Sequence, residues 1–248
     1  MEVSKEDNLL ISKLEDLKVK AEDNYAPFAG PFLDMRQRSL VEKRFRGTDD
    51  LYFFGGYEEA ERVLPVFSEY EPDEADFIKA VRVTLPKGAR KLTHRDYLGS
   101  LLGLGISREK TGDILVGENG CLILLAPEIL SFVLLEYTKA GHENLTVSEI
   151  ALSELDTGNI NVESIRCSVS SMRLDNCLSG VFNLARGKAQ EAVRQGLVFV
   201  NNIEMTKNDH RIKEGDKLVL RGKGKAVITK TGDTNRKGRI IINIDKYI

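Results

Sequence analysis

The chain has little cysteine and no long apolar run. Cys121, Cys167 and Cys177 are an odd, scattered set with no CxxC pair. That argues against a disulfide framework or a zinc ribbon and fits reduced thiols. No window of about 18 apolar residues occurs, so no segment reads as a membrane span. The longest candidate, CLILLAPEILSFVLLEY, is interrupted by Pro127 and Glu128 and reads as strand then helix. The N-terminus, MEVSKEDNLLISKLEDLK, is acidic from its second residue and lacks the apolar block of a signal peptide. His94, His142 and His210 lie in separate regions without metal-ligand spacing. The expectation is a cytoplasmic protein with no cofactor, no metal, no membrane and no small-molecule substrate.

What is present is an uneven charge. The net charge is −2. Residues 163–248 carry 17 Lys and Arg against 9 Asp and Glu, leaving 19 against 29 for residues 1–162. A basic end on an acidic body points to a polyanionic partner. A lysine-rich solvated surface is the plainer alternative.

The pattern divides the chain into an α+β arrangement of three regions. Residues 1–72 read as a mostly helical domain, with Leu9, Leu10, Leu14 and Leu17 at helical spacing. NYAPFAGPFLDM breaks it, and DMRQRSLVEKRFRG resumes a helix. The arginines of that helix, Arg36, Arg38, Arg44 and Arg46, are either a contact patch or an exposed face. LYFFGGYEEAERVLPVF reads as an aromatic strand, a Gly-Gly turn and a helix, and EYEPDEAD as an acidic linker. Residues 73–160 alternate more clearly. A strand (FIKAVRVTL) precedes a helix capped by Thr93 and ended by Gly103 and Gly105. Two strands then meet at an Asn-Gly turn. A helix from Pro127 to Gly141 and a last strand follow. This βαββαβ order is the ferredoxin-like, RRM-like pattern, in which two helices cover one sheet face and leave the other free. RNA-recognition modules use such a face, but their aromatic signature is missing here. Residues 161–248 read as a helical hairpin packed on a twisted sheet.

In that last region, Leu174, Leu178, Val181 and Phe182 make one apolar stripe, and Ala189, Ala192 and Val193 a second. Arg186 and Lys188 fall in the first turn of the second helix, where the helix dipole disfavours cations by roughly a few tenths of a kcal/mol. A phosphate accepting both backbone N–H groups and these side chains would account for them; extension into water is the alternative. Arg173 opens the first helix, and Asp175 is read as a cap or as the partner of a cation. Lys207, Arg211 and Lys213 follow, and then RGKGK, with Arg221, Lys223 and Lys225 spaced by glycines that let a backbone approach a ligand.

MRLDNCLSGVF, ARGKAQEAVRQGLVFVNN and IKEGDKLVLRGKGK resemble the S4 RNA-binding domain. The matching landmarks are Arg173-Leu174-Asp175, Arg186, Lys188-Ala189, Gly196, Val198, Val200-Asn201 and Gly215-Asp216. Ala185 departs from the family, in which a serine is common, and so does Asn202, often a glycine. LTHRDYLGSLLGLGISREKTGDILV is similar to the segment that precedes the S4 domain in YlmH-like bacterial proteins, encoded near cell-division genes. The resemblance implies an N-terminal domain (1–72), a ferredoxin-like RNA-binding domain (73–160) and a C-terminal S4 domain (161–248). It further implies binding to rRNA and tRNA on large ribosomal subunits carrying stalled peptidyl-tRNA, where the family supports C-terminal tailing of the nascent chain. The candidate RNA-binding residues are Arg173, Arg186, Lys188, Lys207, Lys213, Arg221, Lys223 and Lys225, with Arg95, Arg108 and Lys110 as possible additions. A monomer is expected.

S4 domains also ride on enzymes. No HIGH-like or KMSKS-like motif occurs, and GLGISRE ends a helix instead of following a strand as a dinucleotide loop does. Cys121 sits in an apolar strand, and no nucleophile–base pair can be defended. The expectation is a non-enzyme. An RNA-modifying enzyme and a cell-division-linked adaptor are the alternatives.

Overall fold

The computed structural model describes residues 4–155, 162–201, 203–235 and 237–247. The chain forms two compact units, Met1–Asn159 and Ile160–Ile248.

In the first unit, helix α1 (Lys5–Asn24) opens with a reciprocal cap: the Ser4 hydroxyl accepts from the Asp7 amide, and the Asp7 carboxylate from the Ser4 amide. Leu10, Leu14 and Ala21 form its buried face. Strand β1 (Phe28–Ala29) leads to α2 (Met35–Arg44), capped the same way by Asp34 and Gln37. Strands β2 (Leu51–Phe54) and β3 (Leu64–Phe67) complete an antiparallel sheet of order β1-β3-β2. Its core includes Phe45 and Phe67, edge to face with centroids 5.1 Å apart.

The helix expected after the Gly-Gly turn is instead strand β3. The segment's amides are claimed from elsewhere: Gly55 and Gly56 donate to Glu74 Oε1 at 2.9 and 2.6 Å, and Glu61 and Arg62 to the Asp113 carboxylate at 2.7 and 3.2 Å. With the Glu61 and Arg62 amides taken by Asp113, a helix running through them cannot close its own ladder. The acidic stretch read as a linker is likewise fastened. Glu74–Asp76 is a single 3-10 turn capped by Asp73, and its Glu74 is the acceptor just named.

A second sheet follows, built from β4 (Lys79–Thr84), α3 (His94–Gly103), β5 (Thr111–Gly117), β6 (Gly120–Leu125), α4 (Leu130–Glu136), the small hairpin β7 (Lys139–Ala140) and β8 (Glu143–Asn144), and β9 (Thr146–Ile150). Strand order β5-β6-β4-β9, antiparallel throughout, is the expected βαββαβ arrangement. Thr93 caps α3 with Asp96 in return. Helix α4 is shorter than expected: Pro127–Ile129 is a 3-10 turn, and Gly141, at φ 58°, turns the β7–β8 hairpin.

The sheet face expected to be free is covered. Cys121, Ile123 and Leu125 of β6 point with Val81 and Val83 toward Tyr97, Leu101 and Val133 of the helices. Leu122, Leu124 and Ala126 alternate to the other side, where with Ala80 and Ile150 they pack on Phe32, Leu64 and Val66 from the first 72 residues. The unbroken apolar run CLILLA is what a strand buried on both faces requires. Arg62 ties the two sheets across chain-distant carbonyls, donating to Phe32 O at 2.8 Å, Arg108 O at 3.0 Å and Thr111 O at 3.0 Å.

The second unit comprises β10 (Val162–Val169), α5 (Leu174–Val181), α6 (Arg186–Arg194), β11 (Val198–Val200), β12 (Ile203–Glu204), β13 (Lys217–Leu220), β14 (Gly224–Thr234) and β15 (Ile240–Tyr247). Its antiparallel sheet has the order β10-β15-β14-β13-β11-β12. Both apolar stripes foreseen for the helical hairpin are buried in one core with Val198, Leu218, Ile228 and Ile242. Gly196, at φ 69°, follows α6. Asn202, one of the two departures from the S4 pattern, lies outside the described residues.

Candidate nucleic-acid interface

The two helix starts of the hairpin meet at one buried carboxylate. Asp175, in the first turn of α5, is fully buried. Its Oδ1 accepts from Arg173 Nε at 3.2 Å and the Asn176 amide at 3.1 Å. Its Oδ2 accepts from Arg186 Nε and Nη2 at 3.1 and 3.0 Å and from Gln190 Nε2 at 2.9 Å. Burial alone would raise the carboxyl pKa; the bonds from Gln190, Arg173 and Arg186 outweigh it and hold the group below its ordinary value. The anion that explains a cation in the first turn of α6 is therefore supplied by the chain itself.

That pairing does not use up the arginines. Their side chains stay 42% and 54% exposed, and a guanidinium has five N–H donors. Arg173 uses its Nε, and Arg186 one edge, so Asp175 holds both planes in place with N–H groups still facing solvent. Two cations on one anion leave a net charge of +1. The helix α6 start has no side-chain cap, because Ala185 stands at the N-cap, and its first amides add partial positive charge. Lys188 is exposed in that turn.

A loop brings further cations. The Leu174 amide donates to His210 O at 2.8 Å, Asp175 N to Asn208 O at 3.1 Å and Ile212 N to Met172 O at 2.8 Å. Arg173 and Arg211 form an isolated antiparallel bridge. The 205–213 stretch thus runs beside the α5 start, with Lys207, Arg211 and Lys213 exposed on it. Asp216 fixes its end, accepting from Lys213 N at 2.7 Å and Asn201 Nδ2 at 2.8 Å.

The RGKGK residues are placed apart from this cluster, and Lys225 apart from the other two. The Arg221 amide donates to Leu197 O at 2.9 Å, which puts the β13–β14 turn at the far end of α6, about 13 Å of helix from Arg186. Arg221 and Lys223 are exposed there. Lys225 is not: it is 5% exposed, with its ammonium 4.1 Å from the centre of the Tyr247 ring. It lies on the face of β14 opposite the core residues Ala226 and Ile228, and is covered there by the Tyr247 ring.

In the first unit, Arg95 is exposed in the first turn of α3, but Arg108 and Lys110 are engaged. Arg108 Nη1 donates to Thr111 O and Gly112 O at 3.1 and 2.9 Å, and burial, with Arg62 beside it, pushes its pKa down to about 10. Lys110 pairs with Glu128. The helix α2 arginines are also committed: Arg36 to Asp7, Arg38 to Glu42 and the Phe53 ring, Arg44 to Glu15 and the Phe45 ring. They clamp α2 onto its surroundings; Arg46, beyond the end of α2, is exposed.

Sequence reasoning missed Gln190 and Arg239. Gln190 was detectable, four residues after Arg186 on the same helix face. Arg239 was not, because it reaches the hairpin only through pairing of β15 with β10, about 70 residues apart in sequence.

Comparison with known proteins gives two family models. Residues 72–154 match the one described as "Putative RNA-binding domain in YlmH", and residues 172–218 match the S4 domain. The chain is 30% identical over 246 residues to the "Ribosome-associated protein quality control protein P2" of Bacillus subtilis, covering 98% of this chain and 96% of that protein. A solved structure, the "Cell division protein ylmH from Streptococcus pneumoniae", is 28% identical with a TM-score of 0.50, covering 62% of this chain and 96% of that one.

Proposed function

Because the chain belongs to the YlmH family of S4-domain proteins, we propose that it is a non-catalytic RNA-binding factor that works on the ribosome. The observation that carries this reading is the Asp175-held pair of Arg173 and Arg186, flanked by Lys188, Lys207 and Lys213, on the S4 hairpin. Oriented guanidiniums suit phosphate oxygens, and preorganisation lowers the entropy lost on binding. Arg221 and Lys223 extend the contact along the far end of α6. Lys225, Arg108 and Lys110 are left out of the set because their side chains are occupied within the protein.

The finer reading is that the protein acts, as a cytoplasmic monomer, on large subunits that retain peptidyl-tRNA, binding rRNA and tRNA during rescue and tailing of the stalled chain. The name of the B. subtilis relative, which speaks of ribosome-associated quality control, supports the ribosomal part of this reading. Residues 1–72, 73–160 and 161–248 are taken as its three functional segments. The test is sedimentation of ribosomal subunits with the full-length protein and an Arg173→Ala/Arg186→Ala/Lys188→Ala variant. The wild type should travel with the large subunit, more so when peptidyl-tRNA is present, and the variant should remain at the top of the gradient. Equal co-sedimentation of both proteins would displace the site from the S4 hairpin.

A further inference from the structure

A cleft of about 450 Å³ opens between the α5–α6 turn and the end of β10. Its lining includes Ser168, Ser170, Asn176, Asn183, Arg186 and Arg239, and no carboxylate borders it among the described residues. The volume falls in the roughly 300–1,000 Å³ range of small-ligand sites.

Both arginines are fixed by protein partners before any ligand arrives. Arg186 is held by Asp175. Arg239 Nη2 donates to Ser168 O at 2.7 Å. Its loop is closed by Asn235, whose Oδ1 accepts from the amides of Lys237 and Arg239 at 2.9 and 3.1 Å. Guanidinium planes can pair with a phosphate or stack on a base. A site for phosphate alone would need only donors. This one adds the carboxamides of Asn176 and Asn183, groups that both donate and accept, which is what a base edge presents.

We propose that this cleft receives a single unpaired nucleotide of the bound RNA. The proposal rests on the RNA-binding reading above, since Arg186 belongs at once to the phosphate-binding cluster and to the cleft wall. Ser168, Ser170 and Arg239 lie outside the S4 match at 172–218, so the end of β10 and the loop before β15 supply what the bare S4 hairpin lacks. A paired base cannot enter; one already bulged from a helix enters at the least unstacking cost.

The test uses two RNA hairpins with the same stem, one carrying a single bulged 2-aminopurine, against full-length wild type, Arg239→Ala and Asn183→Gly. Asn183 has φ 50°, a conformation glycine adopts freely, so that variant removes the carboxamide without straining the turn. Wild type should favour the bulged hairpin by about tenfold, the size of one good bidentate contact, with a change in 2-aminopurine fluorescence. Both variants should lose that preference and keep wild-type affinity for the fully paired hairpin. Equal wild-type affinity for the two hairpins, or a preference that survives in both variants, overturns the proposal. So does a cleft that binds AMP while the bulge gains nothing, which would assign it to a free nucleotide. Failure of the wild type to bind either hairpin would instead remove the RNA-binding reading beneath it.

Discussion

Asp175 and Arg186 stand eleven positions apart and are joined by two hydrogen bonds, 3.1 and 3.0 Å long, between a carboxylate with no exposure and a guanidinium more than half exposed. The acid is the fixed end of the pair and the base the presented end. On the RNA-binding reading proposed above, a carboxylate is part of the surface that meets a polyanion.

Removing that carboxylate should therefore weaken RNA binding although the surface becomes more positive. Asp175→Ala leaves the Gln190 carboxamide and two guanidiniums without their shared acceptor. The cost in stability should be about 3 kcal/mol, at the low end for a broken buried pair, because both arginines can turn to water. Affinity for a structured RNA should fall while the salt dependence holds, as no cation is lost. A tighter complex would mean that charge, and not orientation, governs the site.

Lys223 and Lys225 should separate cleanly in the same assay. Lys223→Ala should reduce the slope of log K against log salt by about 0.9, the effect of one phosphate contact on a duplex. Lys225→Ala should leave the slope unchanged and lower stability by about 1 kcal/mol, through loss of its stacking on Tyr247 and its buried stem. Urea denaturation and filter binding at several salt concentrations report the two effects.

Acid should loosen the first unit through Asp7. Hydrogen bonds from Arg36, opposed by burial and reinforced by Ser4, hold the Asp7 carboxyl near a pKa of about 2 against an ordinary 3.8. A depressed folded-state value stabilises fully above the unfolded value and is lost as pH falls through the folded one. The contribution is about 2 kcal/mol, present at pH 5 and gone near pH 1–2. Asp7→Asn should remove this acid limb from a stability-versus-pH curve. An unchanged curve would mean that Arg36 does not hold the group.

The covered sheet face predicts that residues 73–160 need what precedes them. Deletion of residues 1–72 exposes Ile78, Leu122, Leu124 and Ala126, an apolar surface that should bind a hydrophobic dye or aggregate. Within the intact chain, Phe32→Ala should cost about 3–5 kcal/mol. Gly112→Ala should also destabilise, because its added Cβ would meet Leu124 Cβ and Phe32 Cε1, both at 2.9 Å. A soluble, dye-silent deletion product would show that the N-terminal layer is dispensable.

Much of the fold is legible in local sequence. The stripe Leu174, Leu178, Val181 and Phe182, and the cap at Thr93, are local patterns that the folded chain keeps because their partners lie within a turn or two. The misreadings came from long-range contacts. Sequence places Leu64–Phe67 at the end of a helix because it does not show Glu74 and Asp113 taking the preceding amides. Sequence leaves Arg36 and Arg44 open between a contact patch and an exposed face, because their partners Asp7 and Glu15 stand on another helix. Cationic type could be read from sequence for Lys225 as for Lys223. The burial of Lys225 could not, since it depends on Tyr247, which the distant strand β15 lays over it.

The strand order β10-β15-β14 carries a consequence for how the protein is made. Strand β10 opens the second unit, yet its one neighbour in the sheet is β15, the last strand of the described chain. During synthesis β10 emerges early and must wait, with its edge unpaired, while the helical hairpin and four strands are added. The hairpin can pack on β11, β13 and β14 before then, but the edge that carries Ser168 closes only when Ile240–Tyr247 arrive. A pause late in translation would thus leave a half-built sheet with an open edge, a species prone to pairing with other chains.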